Sequence, residues 1–277
     1  FTNSDAASVV ISVTASSDIT SEFAESPPVV TSLTVPEDGE YGPGDVLEFM
    51  VNYDRTVTVA ESGGSPTLRV QIASNAREAT YINGSGTTSL VFRYTVQSGE
   101  LDENGFSSIS LQLNGSTITG PLGQDADNTL NGVPSTSGID VDGVAPEVDA
   151  VTGPAAATYT ESAVLNISVD FDERLEVDET LGSPTLDVEI GSENIEFLLT
   201  NVNVSSGILR FSYTVADGDL DTDGITVGAI NLNGSVISDE AGNAAVLTLN
   251  NVFADDNVLI DAAKPVVTSV GAPNNVY

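Results

Sequence analysis

The chain repeats itself, and that constrains its fold more than any other feature. Tyr41-Gly-Pro-Gly-Asp-Val46-Leu47 aligns with Tyr159-Thr-Glu-Ser-Ala-Val164-Leu165 at an offset of 118 residues, and Gly64-Ser-Pro-Thr-Leu68 meets Gly182-Ser-Pro-Thr-Leu186 at the same offset. One inserted residue moves the offset to 119; Phe92-Arg-Tyr94-Thr-Val96 then meets Phe211-Ser-Tyr213-Thr-Val215, residues 111–116 meet 230–235, and Asp142 meets Asp261. Similarity at a fixed period means that one supersecondary unit is used twice, so any fold assigned to one copy must suit the other. The expected units are residues 28–143 and 144–262. Pro265-Val-Val-Thr-Ser269 copies Pro28-Val-Val-Thr-Ser32, so residues 263–277 are expected to form the first strand of a following repeat. Ser8-Val-Val-Ile-Ser-Val13 reads as the end strand of a preceding one, with a linker completing residues 1–27.

Within each unit the apolar residues keep a period of two. Leu68, Val70 and Ile72 alternate with polar neighbours, as do Leu186, Val188 and Ile190, then Phe92, Tyr94 and Val96, and Ile109, Leu111 and Leu113. That spacing puts one face of a strand in a core and the other in water. Turn signals separate the segments: Gly63-Gly64, Asn83-Gly84, Ser98-Gly99 and Asn114-Gly115. No apolar spacing of 3.6 survives beyond a turn or two. The expected fold class is all-β, as tandem immunoglobulin-like β-sandwiches of roughly seven strands each. Cysteine and tryptophan are absent, so this rests on strand count and spacing and not on a Cys–Trp–Cys signature.

Charge narrows the function. With 41 acidic and 7 basic side chains the formal net charge is −34. Nucleic acid and anionic membrane surfaces both need clustered Lys and Arg, so neither is an expected partner. No apolar run approaches the roughly 20 residues that cross a bilayer, so membrane insertion is not expected either. Histidine and cysteine are both missing, which excludes Ser-His-Asp chemistry, thiol nucleophiles and His- or Cys-ligated zinc. The single lysine, Lys264, falls in a linker. The acids recur on turns of each repeat rather than as one catalytic pair, and no enzyme is expected.

The densest acidic run is Asp217-Gly-Asp219-Leu-Asp221-Thr-Asp223-Gly224, with aspartates on alternate residues. Two carboxylates about 5 Å apart repel by about 0.8 kcal/mol even in bulk water. A hard cation that takes six to eight oxygens removes that cost, and Ca²⁺ is the expected cofactor. Asp219, Asp221, Asp223 and Gly224 match the first half of an EF-hand loop, but the twelfth position is Ile230 where a bidentate Glu should stand. The first repeat keeps Glu100, Asp102 and Asn104 at the counterpart positions and has Ser98 at the fourth. Asp140 and Asp142 lie in the linker that leaves the first unit. Across the junction the second unit offers Asp172 and Glu173 from one loop, and Asp239 from Asp239-Glu-Ala-Gly-Asn243. Acids from two units therefore converge on the linker, where a shared cation would neutralise them; the alternative is a set of solvated acidic turns. Arg55 and Gly120 replace Glu173 and Asp239 in the first copy.

The ordered set of Gly-Ser-Pro-Thr-Leu, Tyr-Thr-Val, Leu-Asn-Gly-Ser, Ala-Gly-Asn and Val-Asp-x-x-Ala-Pro resembles the bacterial Ig-like repeats of very large surface adhesins, of the biofilm-associated and RTX-adhesin kind. The resemblance covers both units and both end fragments. It implies an extracellular extender on the bacterial cell surface, with calcium stiffening the domain junctions. The implied ligands are Asp140, Asp142, Asp172, Glu173, Asp217, Asp219, Asp221 and Asp223, and Glu100, Asp102, Asn104, Asp239 and Asp261 are the further candidates. The implied partners are neighbouring repeats of the same chain and a cell-surface or matrix ligand met by a distant tip. The rival reading is a module that itself binds carbohydrate or a host protein. Such a unit should carry an insertion or an exposed aromatic patch, and the two units differ by only one residue in length.

Overall fold

The computed structural model describes residues 26–253 and 256–271. The first repeat contains ten strands: β1 (Val30–Thr34), β2 (Gly39–Tyr41), β3 (Val46–Ala60), β4 (Thr67–Ile72), β5 (Asn75–Asn83), β6 (Thr87–Thr95), β7 (Leu101–Asp102), β8 (Ile109–Gln112), β9 (Thr117–Thr119) and β10 (Ile139–Asp142). The second contains β11 (Val148–Thr152), β12 (Ala157–Tyr159), β13 (Val164–Phe171), β14 (Glu176–Asp178), β15 (Thr185–Ile190), β16 (Glu193–Asn203), β17 (Ile208–Thr214), β18 (Leu220–Asp221), β19 (Thr226–Asn231), β20 (Val236–Ser238) and β21 (Val258–Asp261). Among the described residues the one helical element is a three-residue 3₁₀ turn at Val204–Ser206. The chain is all-β.

Both repeats build the same sheets. The larger runs β1-β3-β6-β5-β4-β8 in the first and β11-β13-β17-β16-β15-β19 in the second, antiparallel throughout. A smaller three-stranded sheet runs β2-β10-β7 and β12-β21-β18. In the smaller sheets the last strand lies parallel to β2 or β12, with Asp140 opposite Glu40 and Leu259 opposite Thr158. Where the second repeat pairs a separate β14 with β20, the first uses the far end of its long β3 against β9.

Period-two alternation is what fills each core. Phe49 faces Phe92 across β3 and β6, and Ile167 faces Phe211 across β13 and β17, all fully buried. Each repeat has its own cluster of buried apolar residues, one built around Phe49, Leu68 and Phe92, the other around Leu186, Phe197 and Phe211. Burial of side chains this size contributes about 1.5–3 kcal/mol each, the main favourable term in either repeat. The Asn-Gly signals act as expected: Asn114 and Asn233 take φ of 50° and 53°, followed by Gly115 and Gly234 at 86° and 94°. Asparagine tolerates this left-handed geometry because its amide can bond locally; here each amide donates to the carbonyl of Ser65 or Ser183.

Over 263–271, the described part of 263–277, no strand is made, and Val266, Val267 and Val270 are 80%, 78% and 87% exposed. The equivalent strands β1 and β11 take their backbone partners from β3 and β13 of their own repeats. Residues 263–271 have no such partner among the described residues. The end strand expected at residues 8–13 lies outside the described residues.

Candidate metal centre

The joint between the repeats is built outward from β10. Ile139 and Val141 are completely buried in the core of the first repeat, so alternation turns Asp140 and Asp142 to the other face. The backbone N–H of Val144 bonds the Asp142 carboxylate at 3.0 Å, and the chain enters the second repeat through Pro146. There Asp172 accepts the N–H of Glu147 at 2.8 Å, fastening the loop after β13 to the incoming chain. The loop after β20 is folded around Asp239, which is 4% exposed and accepts both the N–H (2.8 Å) and the side-chain amide (2.7 Å) of Asn243. That same amide donates across the joint to the carbonyl of Asp142 at 3.0 Å. Beside it the backbones nearly touch: a Cβ on Gly42 would stand 2.1 Å from the carbonyl oxygen of Ala241, so only glycine fits.

These contacts bring Asp142, Glu173 and Asp239 together, each offering an oxygen, all within 4.8 Å of one another. Oxygens so spaced can share one ion at the 2.3–2.6 Å distances of Ca²⁺. The donors are all hard oxygens, with no nitrogen or sulfur, which suits Ca²⁺ and not zinc. Two residues before Asp142 on β10, the Oδ1 of Asp140 is cut off from solvent without a hydrogen-bond partner. An orphaned buried carboxylate oxygen is costly unless something cationic meets it.

The electrostatics report the same crowding. Burial first, then the charges of Asp142, Asp239, Asp172 and Glu40, push the Glu173 carboxyl up to about 7. Burial, with Asp239 and Glu103 adding to it, also raises Asp142. Glu40, opposite Asp140 on β2, is raised by burial and then by Glu240, Asp142, Asp239 and Asp140. Glu40 and Asn243 are members of this joint that the linear pattern did not single out. The Asp239-x-x-x-Asn243 spacing was a usable signal for Asn243; nothing local marks Glu40, whose neighbour is 100 residues away along a parallel pairing.

Several of the other expected ligands accept hydrogen bonds or ion pairs from the protein. Asp221, 3% exposed, accepts the N–H groups of Gly191 (2.7 Å), Gly224 (2.7 Å) and Asp223 (3.2 Å). Asp102 does the same for Ala73 and Asn104 in the first repeat. Asp219 takes the Tyr213 hydroxyl (2.8 Å) and the Ala216 N–H (2.7 Å) on its Oδ2, and Asp217 pairs with Lys264. Of the four aspartates in the 217–223 run, Asp219 and Asp221 accept backbone N–H groups of their own loop and its neighbour. Asn104 contributes its N–H to that turn, and Asp261 is an exposed strand end. Glu100 is buried and holds the partly exposed Arg77, the Tyr94 hydroxyl (2.6 Å) and the Gln97 N–H (2.9 Å). Burial and then Glu100 push the Tyr94 phenol up to about 12. Replacing Arg77 by methionine leaves this buried carboxylate without its cation and is expected to cost about 2 kcal/mol, read as a lower urea midpoint.

Among the described residues, the corresponding face of the first repeat shows no such triad. Arg55, at the position of Glu173, pairs with Asp54 at 2.7 Å and donates to the carbonyl of Ser26.

No protein-family model matches the chain, and no curated protein matches it. Among solved structures it is similar to a DUF4785 family protein from Legionella pneumophila, at 11% identity and a TM-score of 0.27, over 83% of this chain and 56% of that one.

Proposed function

We propose that the chain is a section of an extender in a bacterial cell-surface adhesin: tandem immunoglobulin-like sandwiches whose joint is stiffened by Ca²⁺. The observation that carries this reading is the meeting of Asp142 from one repeat with Glu173 and Asp239 from the next, each with an oxygen within 4.8 Å of the others. Without a cation those charges repel and favour opening. With one, the ion ties the two repeats and limits the angles they can take. Asp140 and Glu40 would complete the oxygen set from the first repeat, and the Asn243 amide fixes the loop that presents Asp239. A molecule that needs reach and stiffness, and has neither histidine nor cysteine, fits an extracellular spacer between neighbouring repeats of the same chain.

Small-angle scattering tests it. In millimolar calcium the whole chain is expected to have one narrow distribution of interatomic distances; EDTA should broaden it and raise the radius of gyration. Asp142→Ala and Glu173→Gln should resemble the EDTA state even in calcium, while circular dichroism stays that of folded strands. An unchanged profile on chelation removes the metal from the joint.

A further inference from the structure

The two repeats differ at one point that the joint does not use. In the first, the β4–β5 hairpin sets Arg77 opposite Val70; in the second, the β15–β16 hairpin sets Ile195 opposite Val188, the same register position. Arg77 lies on the buried carboxylate of Glu100. The counterpart of Glu100 is Asp219, which Tyr213 and Ala216 grip by Oδ2, as Tyr94 and Gln97 grip Glu100. With isoleucine in place of arginine, a cavity of about 330 Å³ opens there, lined by Ile190, Ile195 and Leu220 on its apolar side and by Asp219 and Glu193 on its acidic side.

The geometry points to a receptor for one arginine side chain of a partner protein, seated in the second repeat between Ile195 and Asp219. Three observations carry it. A guanidinium of this chain occupies the equivalent place in the first repeat, on the equivalent carboxylate. The acid is held by two donors that leave its other oxygen for a third. The walls are mixed, with Leu220 48% exposed and Ile195 half-buried. An arginine stem packs on apolar walls while its weakly hydrated, planar head bonds carboxylates. Calcium is a poor fit, because two carboxylates beside three aliphatic side chains do not supply six to eight oxygens. The one lysine, Lys264, is engaged with Asp217. A second copy is a poor source as well, since two chains of net charge −34 repel. The occupant is therefore a basic segment of a different protein, and the inference does not depend on metal at the joint.

The test is an amide ¹H–¹⁵N titration of the whole chain with N-acetyl-arginine amide, and with calcium chloride in a separate arm. Arginine amide is expected to shift the amides of residues 190–195 and 216–220. Glu193→Gln should weaken that response about three-fold or more, and Ile195→Arg, which supplies the guanidinium from within, should abolish it while raising the melting temperature. Unmoved amides in the parent, an equal response in Ile195→Arg, or shifts produced by calcium in place of arginine would each overturn the assignment.

Discussion

Replacing Asp221 by alanine is expected to lower the unfolding free energy by about 3 kcal/mol, equally in calcium and in EDTA. The side chain is 3% exposed and its two oxygens satisfy three N–H groups, those of Gly191, Asp223 and Gly224. Hydrogen bonds to a charged acceptor contribute about 1.5–3 kcal/mol apiece and do not add fully when they share one carboxylate. The side chain joins the turn between β15 and β16 to the loop around β18, so its loss releases both together. Chemical denaturation with and without metal is the measurement. A loss seen only in calcium would return Asp221 to the ligands and contradict the placement described above.

Calcium itself is expected to have an effect of similar size, and one that depends on pH. At a hundred-fold excess over its dissociation constant, a ligand that binds only the docked joint stabilises it by about 2.7 kcal/mol. Protons compete for the same oxygens. In the packed joint the Glu173 carboxyl keeps its proton up to about pH 7, against an ordinary value of 4.5. Between those values the docked form binds more protons than the open one, so without metal the joint loses stability as pH rises through that window and is level on either side. The calcium gain runs the other way, growing up to about pH 7 as the carboxyl no longer has to release a proton. Melting curves at pH 5 and pH 8, with EDTA and with calcium, separate the two slopes. Glu173→Gln should flatten the first and remove most of the second. A parent melting temperature that ignores both pH and calcium would sink the metal reading.

Much of the architecture was legible because it is written twice. The 118–119 offset, the alternation at Leu68-x-Val70-x-Ile72 and the Asn-Gly turns each required the same answer in both copies, and strands formed where they pointed. Asp142, Glu173 and Asp239 were visible too, as acids placed on either side of a short linker. The 217–223 run is ambiguous for a physical reason. Alternate aspartates in a turn suit a cation, but they suit backbone N–H groups equally well, and a short charged side chain cannot show from spacing alone which of the two it faces. Glu40 was out of reach because its place beside Asp140 follows from a parallel pairing between chain segments 100 residues apart. Nothing in the linear pattern marks Arg77; only the hairpin register shows that it fills in one repeat what stays open in the other.

The parallel pairing of β2 with β10, and of β12 with β21, has a mechanical meaning. A pull that reaches the two paired strands draws the earlier one backward and the later one forward along each other's length. The ladder between them is then loaded in shear, its bonds strained together rather than unzipped one after another. A repeat so connected is expected to resist stretching, the property that the proposed extender requires.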